Sequence, residues 1–326
     1  MSTENKHEIK VTASLEGWFK CIKKNSNDEV LEETPWFSNL IVDTGLNIMA
    51  TSGYLRSCHV GTGSSAPVNA DTQLGSFVAG SGIPTGDSTV GIQSSSPYYA
   101  WRRNVYRFEE GVAEGNLSEV GIADGDDVSD VLFSRALIRD GAGDPTTLTI
   151  LSDEILEVVY ELRIYAPEDD VNDSINDDGP AGTSHATVTR AANATSGSNF
   201  HGWGIGGTGA TSRRGTSMAL TDFNSSVKVY NGNLGSITSE PSGTSSSVGS
   251  SSRITNDSYV TDSHERTATI ELELDIANLT DGISAILYKF NSGGAWQTSF
   301  DPAIPKTSDD QLTIGFKVTW QRHDPS

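Results

Sequence analysis

The chain has 326 residues and carries 43 acidic against 22 basic side chains, a formal net charge of −21. An excess of that size repels nucleic acid and anionic membrane, which argues against a direct DNA-binding role. No run reaches the roughly eighteen apolar residues of a transmembrane helix, so no membrane insertion is expected.

In chain order, the N-terminal MSTENKHEIKV lacks the apolar centre of a secretory signal. HEIKVTASLEGWFKCIKK (7–24) reads as strand, with Ile9, Val11 and Ala13 alternating against polar neighbours. Cys21 and Cys58 are the two cysteines, and their strand-like surroundings predict buried free thiols of a protein made in a reducing cytoplasm. FSNLIVDTGLNIMA (37–50) predicts a short helix capped by Ser38 or Asp43, carrying Leu40, Ile41, Leu46 and Met49, with Gly45 as an interruption. VLFSRALI (131–138) and TTLTIL (146–151) read as strands with DGAGDP as the turn between them.

SDEILEVVYELRIYAP (152–167) places Leu156, Val158, Tyr160, Leu162 and Ile164 on one face of an extended chain. Next comes EDDVNDSINDDGPAGT (168–183), with six acids, no bases and a Gly-Pro break, the composition of a solvated linker. SHATVTR (184–190) and GISAILYKF (282–290) read as strands, with a Ser-rich loop at 234–253 between them and NSGGAW as the turn that follows. SDDQLTIGFKVTWQRHDP (308–325) repeats the earlier phrase, with Leu312, Ile314, Phe316, Val318 and Trp320 inward and Thr313, Lys317, Thr319 and Gln321 outward. By the same alternation Glu161 and Lys317, one place along from Tyr160 and Phe316, should face solvent.

The likeness extends backwards. GTGSSAPVNADTQLGSF (61–77) parallels GTGATSRRGTSMALTDF (207–223), setting Leu74 against Leu220. RRNVYRFEEGVAEGNLSEVGI (102–122) parallels ERTATIELELDIANLTDGI (265–283), setting Asn116 against Asn278. The blocks keep their order, and their spacing drifts as insertions at 234–253 and near the acidic turn 124–130 would make it drift. The expectation is an all-β protein of two tandem antiparallel β-sandwich domains from an internal duplication, with about seven short strands each. The first spans 1–167, the acidic linker 168–183, and the second 184–326, with the short helix decorating the first alone. On this expectation the fragment 184–326 folds by itself.

The candidates for chemistry are weak. Glu109, Glu110, Glu154 and Glu157 are the carboxylates that could form a hydrolytic pair, but in so acidic a chain they read as solvated surface. The Gly-Ser runs lack the helix that must follow a nucleophile elbow. The six histidines are scattered, with no His-x-x-x-His pair. GWGIGGTGA (202–210) is followed by polar residues and not by a helix, so it reads as a turn and not as a nucleotide loop. DGDDVSD (124–130) and DDVNDSINDDG (169–179) crowd oxygen ligands, so loop-bound calcium is the best of the metal options, yet neither has the Gly and Glu positions of an EF-hand loop. No catalytic, cofactor-binding or metal-binding residue is assigned, and a non-enzyme is expected.

PWFSNLIVDTGLNIMA, CHVGTGSSAPVNADTQLGSFV, YRFEEGVAEGNLSEVGI and LFSRALIRDGAGDPTTLTILSDEILEVVYELRIY follow one another over residues 36–165. In that order they resemble a group of tailed-bacteriophage virion proteins of tail-fibre, baseplate or tail-tip type. The second copy departs from this pattern, because it lacks the SNLIVDTGLN segment and carries the Ser-rich insertion. The resemblance implies a virion structural protein made in the host cytoplasm, with other virion proteins as partners in a symmetric homo-oligomer. Two alternatives are a capsid-surface fibre or decoration protein, and a receptor-binding protein in which Tyr98, Tyr99 and Trp101 contact a host cell-surface glycan during attachment.

Overall fold

A computed structural model of the chain describes residues 8–51, 54–82, 84–93, 95–165, 167–176, 182–192, 218–220, 227–248, 253–290 and 294–324. The fold is nearly all β. In chain order the strands are β1 (Glu8–Lys24), β2 (Val30–Glu33), β3 (Phe37–Ser38), β4 (Leu40–Ile41), β5 (Ser57–Gly61), β6 (Phe77–Ser81), β7 (Thr85–Gln93) and β8 (Tyr99–Phe108). They continue with β9 (Gly115–Leu117), β10 (Glu119–Ala123), β11 (Leu132–Leu137), β12 (Leu148–Ile150), β13 (Ile155–Tyr165), β14 (Val171–Asn176) and β15 (Ser184–Ala191). The last are β16 (Val227–Tyr230), β17 (Ser245–Ser247), β18 (Ile254–Asn256), β19 (Glu265–Leu272), β20 (Ile283–Phe290), β21 (Gly294–Ile304) and β22 (Leu312–Arg322). One short helix, α1 (Asp43–Ile48), lies between β4 and β5.

The strands form a nine-stranded sheet in the order β18-β19-β22-β1-β13-β8-β7, with β2 and β3 also on β1. A five-stranded sheet runs β4-β11-β10-β5-β6, a six-stranded sheet β14-β15-β21-β20-β16-β17, and β9 pairs with β12. The two strands of the repeated phrase, β13 and β22, therefore flank the same strand. β1 is seventeen residues long and serves both of them. Its first half pairs in parallel with β22, Glu8 opposite Gly315 through Leu15 opposite Arg322. Its second half pairs antiparallel with β13, Ser14 opposite Tyr165 through Lys24 opposite Ile155. Beyond them, β8 lies antiparallel to β13 and β19 antiparallel to β22, so blocks 102–122 and 265–283 begin with strands in matching places.

The expected boundaries do not follow these sheets. The last strand of 184–326 belongs to the sheet that β1 begins. The segment read as a linker carries β14, which pairs along β15 from Val171 opposite Thr189 to Asn176 opposite Ser184. Residues 177–181 of that segment, and most of 207–223, lie outside the described residues.

The period-two readings place the core well. Leu156, Val158, Tyr160, Leu162 and Ile164 are buried, as are Ile314, Phe316, Val318 and Trp320. Tyr160 packs on Phe19 of β1 with ring centroids 4.8 Å apart, and Phe316 packs on Tyr288 of β20 at 4.4 Å. The six-stranded sheet thus covers β22, while the five-stranded sheet covers β13: the Tyr106 hydroxyl of β8 donates to Leu55 O (2.8 Å) just ahead of β5. Each such side chain contributes about 1.5–3 kcal/mol by burial.

The helix is shorter and starts later than expected. Leu40 and Ile41 form β4, and Val42, not Ser38 or Asp43, occupies the N-cap without a side-chain hydrogen bond. Gly45 is a fit and not an interruption, since a Cβ there would lie 1.9 Å from Phe133 O of β11. Nor is α1 a decoration of the first half. Trp320 Nε1 donates to Leu46 O (2.7 Å), Arg322 reaches Ile41 O and Asp43 (2.5 Å each), and Arg266 donates to Ala50 O (2.8 Å). The Tyr259 hydroxyl donates to Asn47 Oδ1 (2.5 Å), and Asn47 donates to Asp262 (2.7 Å). The helix is the post on which the second half is clasped.

Residues 234–248 of the Ser-rich loop pack on the six-stranded sheet. Buried Gln297 accepts from Gly235 N (2.8 Å) and donates to Ser236 O (2.9 Å) and Ser239 O (3.2 Å). Glu240 takes the Tyr230 hydroxyl (2.8 Å) and the Lys228 ammonium (3.2 Å).

Candidate interaction face

Three of the four carboxylates weighed for hydrolysis are engaged elsewhere. Glu109 and Glu157 meet at the same guanidinium, 2.9 Å and 3.0 Å from Arg107, and Glu157 also holds Lys24 at 2.7 Å. Glu154 accepts from Leu151 N (2.8 Å), and Glu110 is exposed.

The acidic turn spends its oxygens on its own backbone. Asp124 accepts from Val131 N (3.0 Å), Asp130 from Asp127 N (2.8 Å) and Asp127 from Ser129 N (3.1 Å). In the second acidic stretch Asp170 binds Arg190 at 2.5 Å. Among the described residues no group of three His, Cys, Asp or Glu is placed to hold a metal ion. Residues 202–210 lie outside the described residues. Cys21 and Cys58 are free and buried; burial pushes the Cys21 thiol up to about 12 and raises that of Cys58 as well, which makes both poor nucleophiles.

Sequence reading missed a buried hub. Glu119 and Arg135, both in the five-stranded sheet, are 0% and 2% exposed and pair at 2.8–2.9 Å. Glu119 also accepts from Gly63 N (2.8 Å), Gly75 N (3.1 Å) and Ser76 N (2.8 Å), while Arg135 holds Asp71 (2.7 Å) and Ser65 O (3.0 Å). The pair thus shapes the loop 62–76, and all its contacts are internal.

The surface that stands out is the outer face of the nine-stranded sheet on the β13 side. Register sets its rows: Glu16, Arg163 and Trp101 lie across β1, β13 and β8, and Trp18, Glu161 and Arg103 form the next row. Arg103 lies over Trp36 and Trp101, and Arg163 over Trp18 and Tyr99, each 5.0 Å from the ring centroid. Between them Glu161 takes Arg103 on one oxygen (2.5 Å) and Arg163 on the other (2.7 Å). Tyr165 stacks on His323 at 3.8 Å and donates to Glu16 (2.6 Å). Stacking and charge-assisted hydrogen bonds reinforce one another in such an array.

This corrects one expectation directly. Glu161 does point away from the core, but its neighbours cover it and it is 4% exposed. Tyr99 and Trp101 are half-buried, so of the aromatics on this face Trp36, at 37%, is the most exposed, although Arg103 lies over it as well. Trp18, Trp36, Arg103 and Arg163 were not singled out from sequence. The signal was there in the alternation Tyr99, Trp101, Arg103 along β8, of which only the two aromatics were singled out, as glycan contacts.

On the β22 side the same outer face holds short polar chains. The Thr12 and Thr319 hydroxyls meet at 2.8 Å, and Lys317 sits between Glu8 (3.3 Å) and Glu265 (3.4 Å). Comparison with protein-family models, with curated proteins and with solved structures finds no match to this chain.

Proposed function

We propose that this protein is a non-enzymatic structural component of a tailed-bacteriophage particle, in the tail tip, baseplate or fibre base, where it docks neighbouring virion proteins. The observation that carries the reading is the run of four phrases, in order, over residues 36–165. Two features of the chain support it. Of the groups that could serve chemistry, Glu109, Glu154 and Glu157 are committed to internal contacts and both thiols are buried. One sheet face is rich in tryptophan, tyrosine and arginine, the residue types enriched at protein interfaces. The docked partners are other virion proteins in a symmetric assembly.

The test is proteomic and positional. Purified particles should contain the chain, and gold-labelled antibody should decorate one end of the tail. Absence from washed particles contradicts the proposal, and labelling spread over the head favours a decoration protein. A receptor-binding role has one observation in its favour, the open Trp36 ring beside Arg103, whose side chain is 40% exposed. Purified protein that blocks adsorption of particles to host cells, and loses that effect as Trp36→Ala, would favour it.

A further inference from the structure

A succinimide forms when the backbone nitrogen that follows an asparagine closes on the side-chain carbonyl carbon and ammonia departs. Asparagine is for this reason a thermolabile side chain, and most so before glycine, which has no Cβ to hinder the closure. The chain holds one Asn-Gly pair, Asn231–Gly232.

Packing explains why so labile a pair stands there. β16 and β17 pair as far as Tyr230 opposite Ser245. One place further on, Asn231 N donates to Thr244 O (3.2 Å), and Thr244 N donates not to a backbone carbonyl but to Asn231 Oδ1 (2.8 Å). Next the two segments close on each other without side chains. A Cβ on Gly232 would collide with Ser242 O. One on Gly243, whose φ is +89°, would lie 2.6 Å from Asn231 Oδ1 and 3.0 Å from Gly232 N. The close approach demands glycine at 232, and that same glycine leaves its nitrogen unhindered.

The fold also holds the carboxamide at both ends. Oδ1 accepts from Thr244 N, and Nδ2 donates to Thr280 O (3.2 Å), so the half-buried side chain is clasped between two other segments of the chain.

We propose that Asn231 is a modification site, the first amide that this chain loses as ammonia, and that the loss waits on opening of the clasp to Thr244 and Thr280. The Gly232 nitrogen bonds to Cγ and the Cγ–Nδ2 bond breaks. The proton that Gly232 N gives up ends, through solvent, on the departing ammonia. Water then opens the ring at one carbonyl or the other and leaves aspartate or isoaspartate. Aspartate sets a carboxylate oxygen where an N–H faced Thr280 O, two acceptors in contact. Isoaspartate lengthens the main chain by a methylene and breaks the step to Thr244. Either product loosens the loop 233–243, whose Ser242 N meets Asn233 O (2.9 Å) and whose Gly235, Ser236 and Ser239 cap buried Gln297. The site belongs to the chain itself and is independent of the virion reading.

The experiment is peptide mass spectrometry of the full chain after incubation at mildly alkaline pH, folded and in urea, reading the amide-to-acid mass change at each asparagine. In urea Asn231 should convert first. In the folded chain it should convert at least about tenfold more slowly, because reaction then needs a local opening. Thr244→Pro, at an exposed position, deletes the N–H that holds Oδ1. It should speed the folded reaction at least about threefold while the circular dichroism spectrum holds. Asn231→Asp, which carries the product from the start, should show faster amide exchange at Gly235 N than the wild type. Another asparagine that converts before Asn231 in urea overturns the site. Equal rates in the folded and unfolded chain overturn the clasp, and so does a folded Thr244→Pro that reacts no faster than the wild type. Should Thr244→Pro unfold, the wild-type comparison decides alone. Unchanged exchange at Gly235 in Asn231→Asp overturns the consequence for the loop.

Discussion

β13 and β22 begin from the same phrase, flank the same strand and bury the same inner pattern, yet their outer faces differ in kind. Beside β13 the outer face is a closed array of indoles, guanidiniums and carboxylates, and Glu161 is 4% exposed within it. Beside β22 it is threonine, lysine and glutamate with room for water, and Lys317 is half-exposed. The inner faces answer to the demands of a packed core, which tolerates only apolar side chains of fitting volume. The outer faces are free to diverge, and the divergence confines the array of indoles and guanidiniums to the β13 side.

The largest effect should come from separating the two sides. A fragment of residues 184–326 lacks β1 and α1, so it exposes the β22 edge and leaves Trp320, Tyr259 and Arg322 without their helix partners. Circular dichroism and amide exchange should show no cooperative fold for this fragment alone; a sharp melt and native protection would break the comparison. Next in size are the matched core truncations. Tyr160→Ala and Phe316→Ala should each cost about 3–5 kcal/mol in denaturant unfolding, as buried aromatic truncations do.

The outer faces should then part company. Glu161→Ala strands two arginines beneath aromatic rings and should cost about 1–3 kcal/mol. Lys317→Ala, which removes a half-exposed ammonium between two surface carboxylates, should change stability by no more than about 0.5 kcal/mol. Equal losses at the two positions would remove the contrast. Smallest is a pH effect confined to the β13 side. His59 is buried, with Nε2 2.8 Å from Gly125 O, and burial holds its folded pKa below the usual 6.5 despite the nearby Asp124, Asp126 and Asp130. The unfolded chain therefore binds the proton first as pH falls below about 6.5, so this group's contribution is present above that value and lost beneath it. The thermal midpoint of the wild type should fall between pH 7 and 5 more than that of His59→Gln.

Much of the inside was legible in the sequence, because burial writes itself as period two. Both repeated phrases and the free buried cysteines could be read that way. The helix could be foreseen, but not that its glycine seats it against Phe133 O. Glu161 was misread because alternation tells which face a side chain takes and nothing of what lies over that face. The Glu119–Arg135 hub was hidden in two strands, β10 and β11, whose residues are all buried, where a charged pair looks like surface. Strand order was beyond reach for a different reason: that β1 takes β22 in parallel on one edge and β13 on the other depends on contacts far apart in the chain, Glu8 with Gly315 and Ser14 with Tyr165, which no local pattern encodes.

Calorimetry tests the sharing of β1 most directly. If one sheet binds both sides, the full chain should unfold in a single endotherm, and Tyr160→Ala and Phe316→Ala should each move that whole endotherm to lower temperature. Two resolved transitions, one moved only by Tyr160→Ala and the other only by Phe316→Ala, would mean that the two sides unfold as independent tandem domains.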